Sequence, residues 1–282
     1  LTQVYKLDET ELPRYPLGWE PWLQTALETI QYQAEAEELI FYVGEQAYKE
    51  ELEARGFEVH LQDRCFGISA TMIRENPSKY WEYLPREVRE HLIPIITICG
   101  GESSGKSIMI DKLANVFNTS SAWEYGREYV FEKLGGDEDS LQYSDYEKIV
   151  FGHQSNVLYA ARNANKFALI DTDYITTLAF CLTYEKRDNP IIREFVRNYK
   201  FDLTILLENN VKWVNDGLRS IGETDRREKF QKLLKKLYKE YNIPYIIVKS
   251  SDYEQRYLAC QEIIKGYLAG KDNLQEIADS FA

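Results

Sequence analysis

Apolar and polar positions alternate along this chain with two periods, one of helices and one of strands. Trp22, Leu23, Ala26, Leu27 and Ile30 share a helical face, and residues 39–44 form a short apolar run of strand character. The spacing predicts a helix over 45–55 stopped by Gly56, a strand over 57–61 and a helix-rich stretch reaching Leu92. Residues 1–7 read as extended, so the chain opens inside a strand-like run, which points to residues upstream. Pro94 marks a boundary because the residue before a proline avoids helical backbone, and an apolar strand, 95–99, begins at once.

Beyond that boundary the alternation continues. A helix is predicted over 105–117, and Ser144 with Glu147 reads as a capping box that opens a helix reaching about Asn163. Strands are predicted over 167–170, 202–207 and 245–248, with a last helix after them. A helix over 225–241 carries Phe230, Leu233, Leu234, Leu237 and Tyr241 on one face and a row of lysines mostly outside it. Strands separated by helices imply an α/β fold whose parallel sheets are covered on both faces. We therefore expect two domains, 1–92 with about half of a doubly wound sheet and 93–282 with a full one.

Composition narrows the class. Thirty-four Lys and Arg against 46 Asp and Glu leave a net charge of −12, which repels phosphate backbones and anionic lipid, so neither nucleic acid nor a membrane is an expected partner. No apolar run approaches the length of a bilayer span, and the chain reads as cytoplasmic. Homo-oligomer formation is compatible with this pattern. Cys65, Cys99, Cys181 and Cys260 lie far apart and read as buried free thiols.

The chemistry begins with Gly100, Gly101, Glu102, Ser103, Ser104, Gly105, Lys106 and Ser107, which fit G-x-x-x-x-G-K-[ST] between a strand and a helix. Such a turn cradles phosphate with backbone N–H groups. Lys106 is expected on the β- and γ-phosphates, and the Ser107 hydroxyl on Mg²⁺, so the expected cofactors are ATP and Mg²⁺. Asp171 and Asp173 follow the strand 167–170, where ligands sit in parallel sheets. Asp171 reads as the acid that positions Mg²⁺, against the bland alternative that this turn is a helix N-cap in which Thr172 or Asp173 caps Tyr174 onward; a substrate-facing or base role for Asp173 stands at even weight with that cap.

Trp123, Glu124, Tyr125, Gly126, Arg127 and Glu128 stand near the end of the second strand of this region. Two aromatics there either stack on a flat ring or belong to the core, and Glu124 and Arg127 either serve ribose and proton transfer or form a surface pair. Arg219, after Gly217, is the expected lid cation over the transferred phosphoryl group, whereas Arg226 and Arg227 read as a solvated patch. His153 reads as a satisfied polar neighbour, and none of the three histidines sits with a serine or cysteine elbow.

The segments GGESSGKS, SSAWEYGREYVFEKLGGDE, IDTDYITTLAFC and WVNDGLRS resemble the kinase half of NadR-type bifunctional proteins of bacterial NAD synthesis. YPLGWEPW and ISATMIR resemble their adenylyltransferase half. The resemblance implies a partial Rossmann-like nucleotidyltransferase domain followed by a P-loop kinase domain that converts nicotinamide riboside and ATP to nicotinamide mononucleotide and ADP. It implies that Trp123 and Tyr125 bracket the pyridinium ring and that Arg127 and Glu128 flank the ribose; geometry then leaves Glu124 or Asp173 to take the 5′-hydroxyl proton. In the first part it places Ser69, Thr71 and Arg74 on ATP phosphates and Trp19 and Trp22 near the nicotinamide. The family's H-x-G-H turn does not occur in this sequence, so formation of NAD from the mononucleotide is expected only when an upstream half is present. The rival readings are an ATP- and NAD-binding sensor without turnover and a kinase for another nucleoside.

Overall fold

The computed structural model describes residues 3, 5–14, 16–30, 39–101, 104–211 and 224–282. It divides into two compact units, Leu1–Glu75 and Asn76–Ala282. The division thus falls ahead of the expected boundary at 92/93, because helix Arg86–Leu92 packs against the long helix Asp145–Asn163 of the second unit.

The first unit contains α1 (Trp19–Thr29), β1 (Ile40–Val43), α2 (Gln46–Glu53), β2 (Glu58–Leu61) and α3 (Ala70–Glu75). Strands β1 and β2 pair in parallel with Ile40 opposite Glu58. The expected stop after α2 is Gly56, whose φ of +88° is open to glycine at little cost. Leu23, Leu52 and Val59 form the buried centre, with Trp22, Phe41 and Phe57 packed on it. Of the extended run expected over 1–7, residues 1, 2 and 4 lie outside the described residues, and the rest form no strand.

The second unit runs α4 (Arg86–Leu92), β3 (Ile95–Gly100), α5 (Lys106–Phe117), β4 (Ser121–Ala122), α6 (Tyr125–Leu134), α7 (Asp145–Asn163), β5 (Ala168–Asp171), α8 (Tyr174–Tyr184), α9 (Pro190–Asn198), β6 (Leu203–Leu207), α10 (Thr224–Glu240), β7 (Ile246–Val248), α11 (Tyr253–Leu268) and α12 (Leu274–Asp279). The five strands form one sheet in the order β4-β5-β3-β6-β7, and every neighbouring pair is parallel. Every residue of β5 and β6 is buried, as a sheet covered on both faces requires. Ile96, Ile98, Leu169, Ile205 and Leu207 pack with α5, α11 and α12 on one face. Cys99 and Leu206 pack with α7, α8, α9 and α10 on the other.

Two local expectations are corrected. Ser144 makes no side-chain cap; its backbone is already helical, and Asp145 accepts instead from the Gln142 amide at 3.0 Å. Helices α8 and α9 fill a stretch to which the periodicity assigned nothing. Most of α8 is buried, so it lacks the polar face that makes a helix legible. Helix α9 starts on Pro190, with Asn189 accepting from the Ile191 and Ile192 amides at 3.0 and 3.2 Å. The thiols of Cys99, Cys181 and Cys260 are free and buried as expected.

Candidate functional site

Strand β3 occupies the centre of the sheet with β5 and β6 on either side, so the turn after it opens where ligands bind in such folds. The strand ends at Gly100, where an added Cβ would stand 3.0 Å from the Leu207 carbonyl oxygen. Gly101 follows. Ser103 lies outside the described residues. Ser104 is buried, its hydroxyl without a hydrogen-bond partner among the described residues. Gly105 has φ +86° and brings the loop within 2.7 Å, measured from a built Cβ, of the Tyr253 ring. Among the described residues no side chain caps α5, whose first residue is Lys106. Its leading amides are therefore available to an anion.

Lys106 is buried, and its ammonium donates to the carbonyls of Gly100 and Gly101 at 3.0 and 3.1 Å. Ser107, next on α5, donates its hydroxyl to Asp171 Oδ2 at 2.6 Å. The register makes this pair, since Ile98 of β3 stands opposite Asp171 of β5. Burial pushes the Asp171 carboxyl pKa up; Lys106 opposes this, and Glu124 adds to it. A buried carboxylate beside a hydroxyl offers two hard oxygens with charge to spare. That donor set fits Mg²⁺, which takes one or two protein ligands and fills the rest with water and phosphate. The cradle as a whole fits a nucleoside triphosphate with its magnesium ion.

Asp173 has a different place. Its Oδ1 accepts from the Thr176 amide at 2.8 Å and the Thr176 hydroxyl at 2.7 Å, capping α8. Its Oδ2 accepts from the Tyr238 hydroxyl at 2.8 Å. Both oxygens are committed inside the fold and the residue does not line the cavity described below, so the expectation of a base at Asp173 is replaced by a cap. Between the two aspartates Thr172 adopts φ +77°, a left-handed conformation that a β-branched residue enters only under constraint. The constraint is visible on both sides. The Thr172 amide donates to the Ile98 carbonyl at 3.3 Å, and its carbonyl accepts from His153 Nε2 at 3.1 Å. Burial lowers the His153 pKa, which favours the neutral ring, and the residue serves as the expected polar neighbour.

Beside the phosphate loop lies a cavity of about 270 Å³. Lys106, Glu124, Tyr125, Arg127, His153 and Thr172 all contribute to its wall, which also carries Glu138, Asp139 and Glu185. Glu124 begins α6 as its N-cap residue, and its charge reaches both Asp171 and His153. The structure thus brings Glu124 to the site where Asp173 is withheld. The Tyr125 ring lies on the backbone of α7 at Gly152, where a Cβ would stand 2.0 Å from the ring. Trp123 is 61% exposed and lies outside the cavity wall, so it is not a core residue. Glu128 is also outside it, accepting from Asn156 Nδ2 at 3.2 Å.

Arg219 lies outside the described residues. Arg227 corrects its expectation as a solvated residue: it is buried and donates to the Val211 carbonyl at 3.1 Å. In the first unit, Trp19 and Trp22 meet edge-on at 5.6 Å, and each meets Tyr48 of α2 in the same manner. Ser69 Oγ accepts from the Met72 amide at 3.1 Å, and Arg74 donates to the Thr71 hydroxyl at 3.3 Å. Sequence reasoning missed Gly152, Tyr238 and Arg256. Only the last has a signal along the chain, a cation in the first turn of a helix where the dipole disfavours it.

The AAA domain family matches residues 95–256. The trifunctional NAD biosynthesis/regulator protein NadR of Salmonella typhimurium is 47% identical over 267 residues, and that of Escherichia coli is 46% identical over 266. Each alignment covers 93% of this chain and 65% of the relative, so the chain spans somewhat less than two thirds of their length. Two crystal structures of NadR protein are similar in fold. One, in complex with NR, has a TM-score of 0.73 at 27% identity and covers 93% of this chain and 77% of its own. The other, in complex with NAD and AMP-PNP, has a TM-score of 0.71 at 25% identity and covers 93% and 76%. With its glycine turn, lysine and strand-end carboxylate placed as a P-loop fold requires, the chain belongs to the AAA domain family and is similar to the NadR proteins over 93% of its length.

Proposed function

We propose that residues 93–282 act as a ribosylnicotinamide kinase, moving the γ-phosphoryl group of ATP to the 5′-hydroxyl of nicotinamide riboside. The observation that carries the reading is that Lys106 and Glu124 face one cavity beside the Ser107–Asp171 pair. Lys106 and the leading amides of α5 hold the phosphates, and Ser107 with Asp171 would hold the metal, which would supply positive charge to neutralise the phosphates. Glu124 takes the hydroxyl proton as the O–P bond forms. Tyr125 supplies an aromatic face for a cationic ring, a preference supported by the carboxylates of Glu138, Asp139 and Glu185 in the same wall, and the exposed Trp123 supplies a second face from outside that wall. Arg127 reaches the ribose, Glu128 stands near it, and Arg219 covers the transferred group.

Residues 1–92 are assigned by the same proposal to the carboxyl-terminal half of an adenylyltransferase domain. There Ser69, Thr71 and Arg74, which neighbour one another at α3, meet the phosphates of ATP during conversion of the mononucleotide to NAD in the whole protein. The setting is cytoplasmic, and the partners are small molecules.

The deciding assay supplies ATP, Mg²⁺ and nicotinamide riboside and follows ADP and nicotinamide mononucleotide together by chromatography. Equal amounts of the two products are expected, with little ADP when the riboside is omitted or replaced by adenosine or cytidine. Equal turnover with an uncharged nucleoside would overturn the substrate assignment, and binding of ATP without turnover would make the protein a sensor.

A further inference from the structure

Arg256 is fully buried in the first turn of α11, where its charge opposes the helix dipole. Its Nε donates to the Ser250 carbonyl at 2.6 Å, and Nη2 donates to the Glu208 carbonyl at 2.6 Å and to Asn210 Oδ1. The remaining arm, Nη1, donates to the Ser104 carbonyl at 3.1 Å. One planar group thus ties together the segments that follow β6 and β7 and the phosphate-binding turn that follows β3. A guanidinium keeps its charge even when buried, and here oxygens of the chain satisfy it on three sides.

The tie to Ser104 has a directional consequence. In a trans peptide the C=O and the following N–H point in opposite senses. With the Ser104 carbonyl turned toward Arg256, the Gly105 N–H is turned away from it, to the opposite side of the same peptide plane. Gly105 has φ +86° and occupies the second glycine position of G-x-x-x-x-G-K-[ST], a turn whose amides meet phosphate oxygens. A glycine peptide rotates easily, so an external clamp is what holds this one in a single orientation.

We infer that Arg256 is a positioning residue for nucleotide binding, fixing the Ser104–Gly105 peptide so that its amide is aimed at the phosphates before ATP arrives. The inference rests on the proposed nucleotide site, and it separates Arg256 from the groups that touch substrate. It assigns to a helix remote in sequence the preorganisation of the loop, and it makes the effect specific to ATP, because the cavity wall carrying Glu124 and Tyr125 does not include Arg256.

The test uses Arg256→Lys, which keeps the charge but cannot span the acceptors, and Asn210→Ala, which removes one acceptor at an exposed position and leaves the guanidinium in place. Urea unfolding establishes that each variant is folded, and ADP affinity and the KM values for ATP and nicotinamide riboside are then compared with the parent. Arg256→Lys is expected to raise KM for ATP and weaken ADP binding roughly 10-fold, Asn210→Ala about 2- to 4-fold, each with KM for the riboside changed less than 2-fold. Unchanged ADP affinity in a folded Arg256→Lys protein overturns the inference, as does a parallel loss toward both substrates, which marks a general structural role. If Arg256→Lys does not fold, Asn210→Ala decides, and unchanged ADP affinity there overturns the inference equally. A parent protein that binds no ADP would instead refute the nucleotide site itself.

Discussion

Replacing Tyr238 with phenylalanine separates a structural Asp173 from a catalytic one. The change deletes a single oxygen from a fully buried ring and leaves its volume nearly intact. Asp173 Oδ1 keeps both donors from Thr176, but Oδ2 loses the hydroxyl that stands 2.8 Å away. A buried acceptor left unmatched costs about 1 to 3 kcal/mol, more when it carries charge, so a loss of about 2 kcal/mol is expected near neutral pH. With a urea slope of about 2 to 3 kcal/mol/M, the unfolding midpoint falls by roughly 0.7 to 1 M. The pH dependence has a definite sign. Burial already raises the Asp173 pKa in the folded protein, so the folded state holds the proton more tightly than the unfolded chain and loses stability as pH rises through the folded value. Removing a donor to the carboxylate raises that value further. The destabilisation by Tyr238→Phe is therefore larger at pH 8 than in acid, where the carboxyl is protonated in both proteins. Turnover at saturating substrate should stay within about 3-fold of the parent, far from the loss expected when general-base catalysis is removed. An unmoved urea midpoint accompanied by a large fall in kcat would refute the assignment of Asp173 to the cap.

Glu124→Gln should lower kcat by about 10²- to 10⁴-fold while ADP affinity holds, because the amide cannot accept the hydroxyl proton; steady-state rates with a nucleotide-binding titration check this. Trp123→Ala should raise KM for nicotinamide riboside roughly 10-fold, as stacking on a cation contributes about 1 to 2 kcal/mol, yet leave the melting temperature almost unchanged since the ring is 61% exposed. Gly152→Ala should displace Tyr125 from α7, because its Cβ would stand 2.0 Å from the ring. Riboside KM is expected to rise severalfold with ATP KM held, and equal parameters for both substrates would show that Tyr125 has no part in the cavity's selectivity.

Residues close together in the chain were the ones legible in the sequence. The phosphate turn is eight consecutive residues between an apolar strand and an amphipathic helix, and its chemistry follows from local geometry. Asp171 was readable for the same reason, as the last residue of an apolar run. The cap role of Asp173 was not, since it depends on Tyr238, which is 65 residues from Asp173. Arg227 was misread because its row of neighbouring charges suggests solvent, whereas the Val211 carbonyl that binds it is 16 residues away. Arg256 meets Ser104 across 152 residues, a pairing that no periodicity announces. Helix α8 was announced only by its capping residues and not by periodicity, since burial on nearly all sides removes the polar stripe by which helices are recognised.

The pairing of Ile98 with Asp171 makes folding fidelity a condition of activity. One residue along a strand is about 3.3 Å and reverses the direction of the side chain. A slip of β5 by a single position would bring Ile170 or Thr172 to the level of Ser107 and turn the carboxylate to the opposite face of the sheet. In a strand with one wet face, such an error exposes apolar groups and corrects itself. Here all four residues of β5 are buried, and the penalty that normally proofreads alignment is weakened. What discriminates is polar and terminal: the Thr97 hydroxyl on the Ile170 carbonyl at 3.2 Å, the Thr172 amide on the Ile98 carbonyl, and the aspartate that must reach its serine. Molecules misaligned by one step would be compact, rich in native secondary structure and catalytically dead, so refolded preparations of this protein should be judged by active-site titration and not by circular dichroism alone.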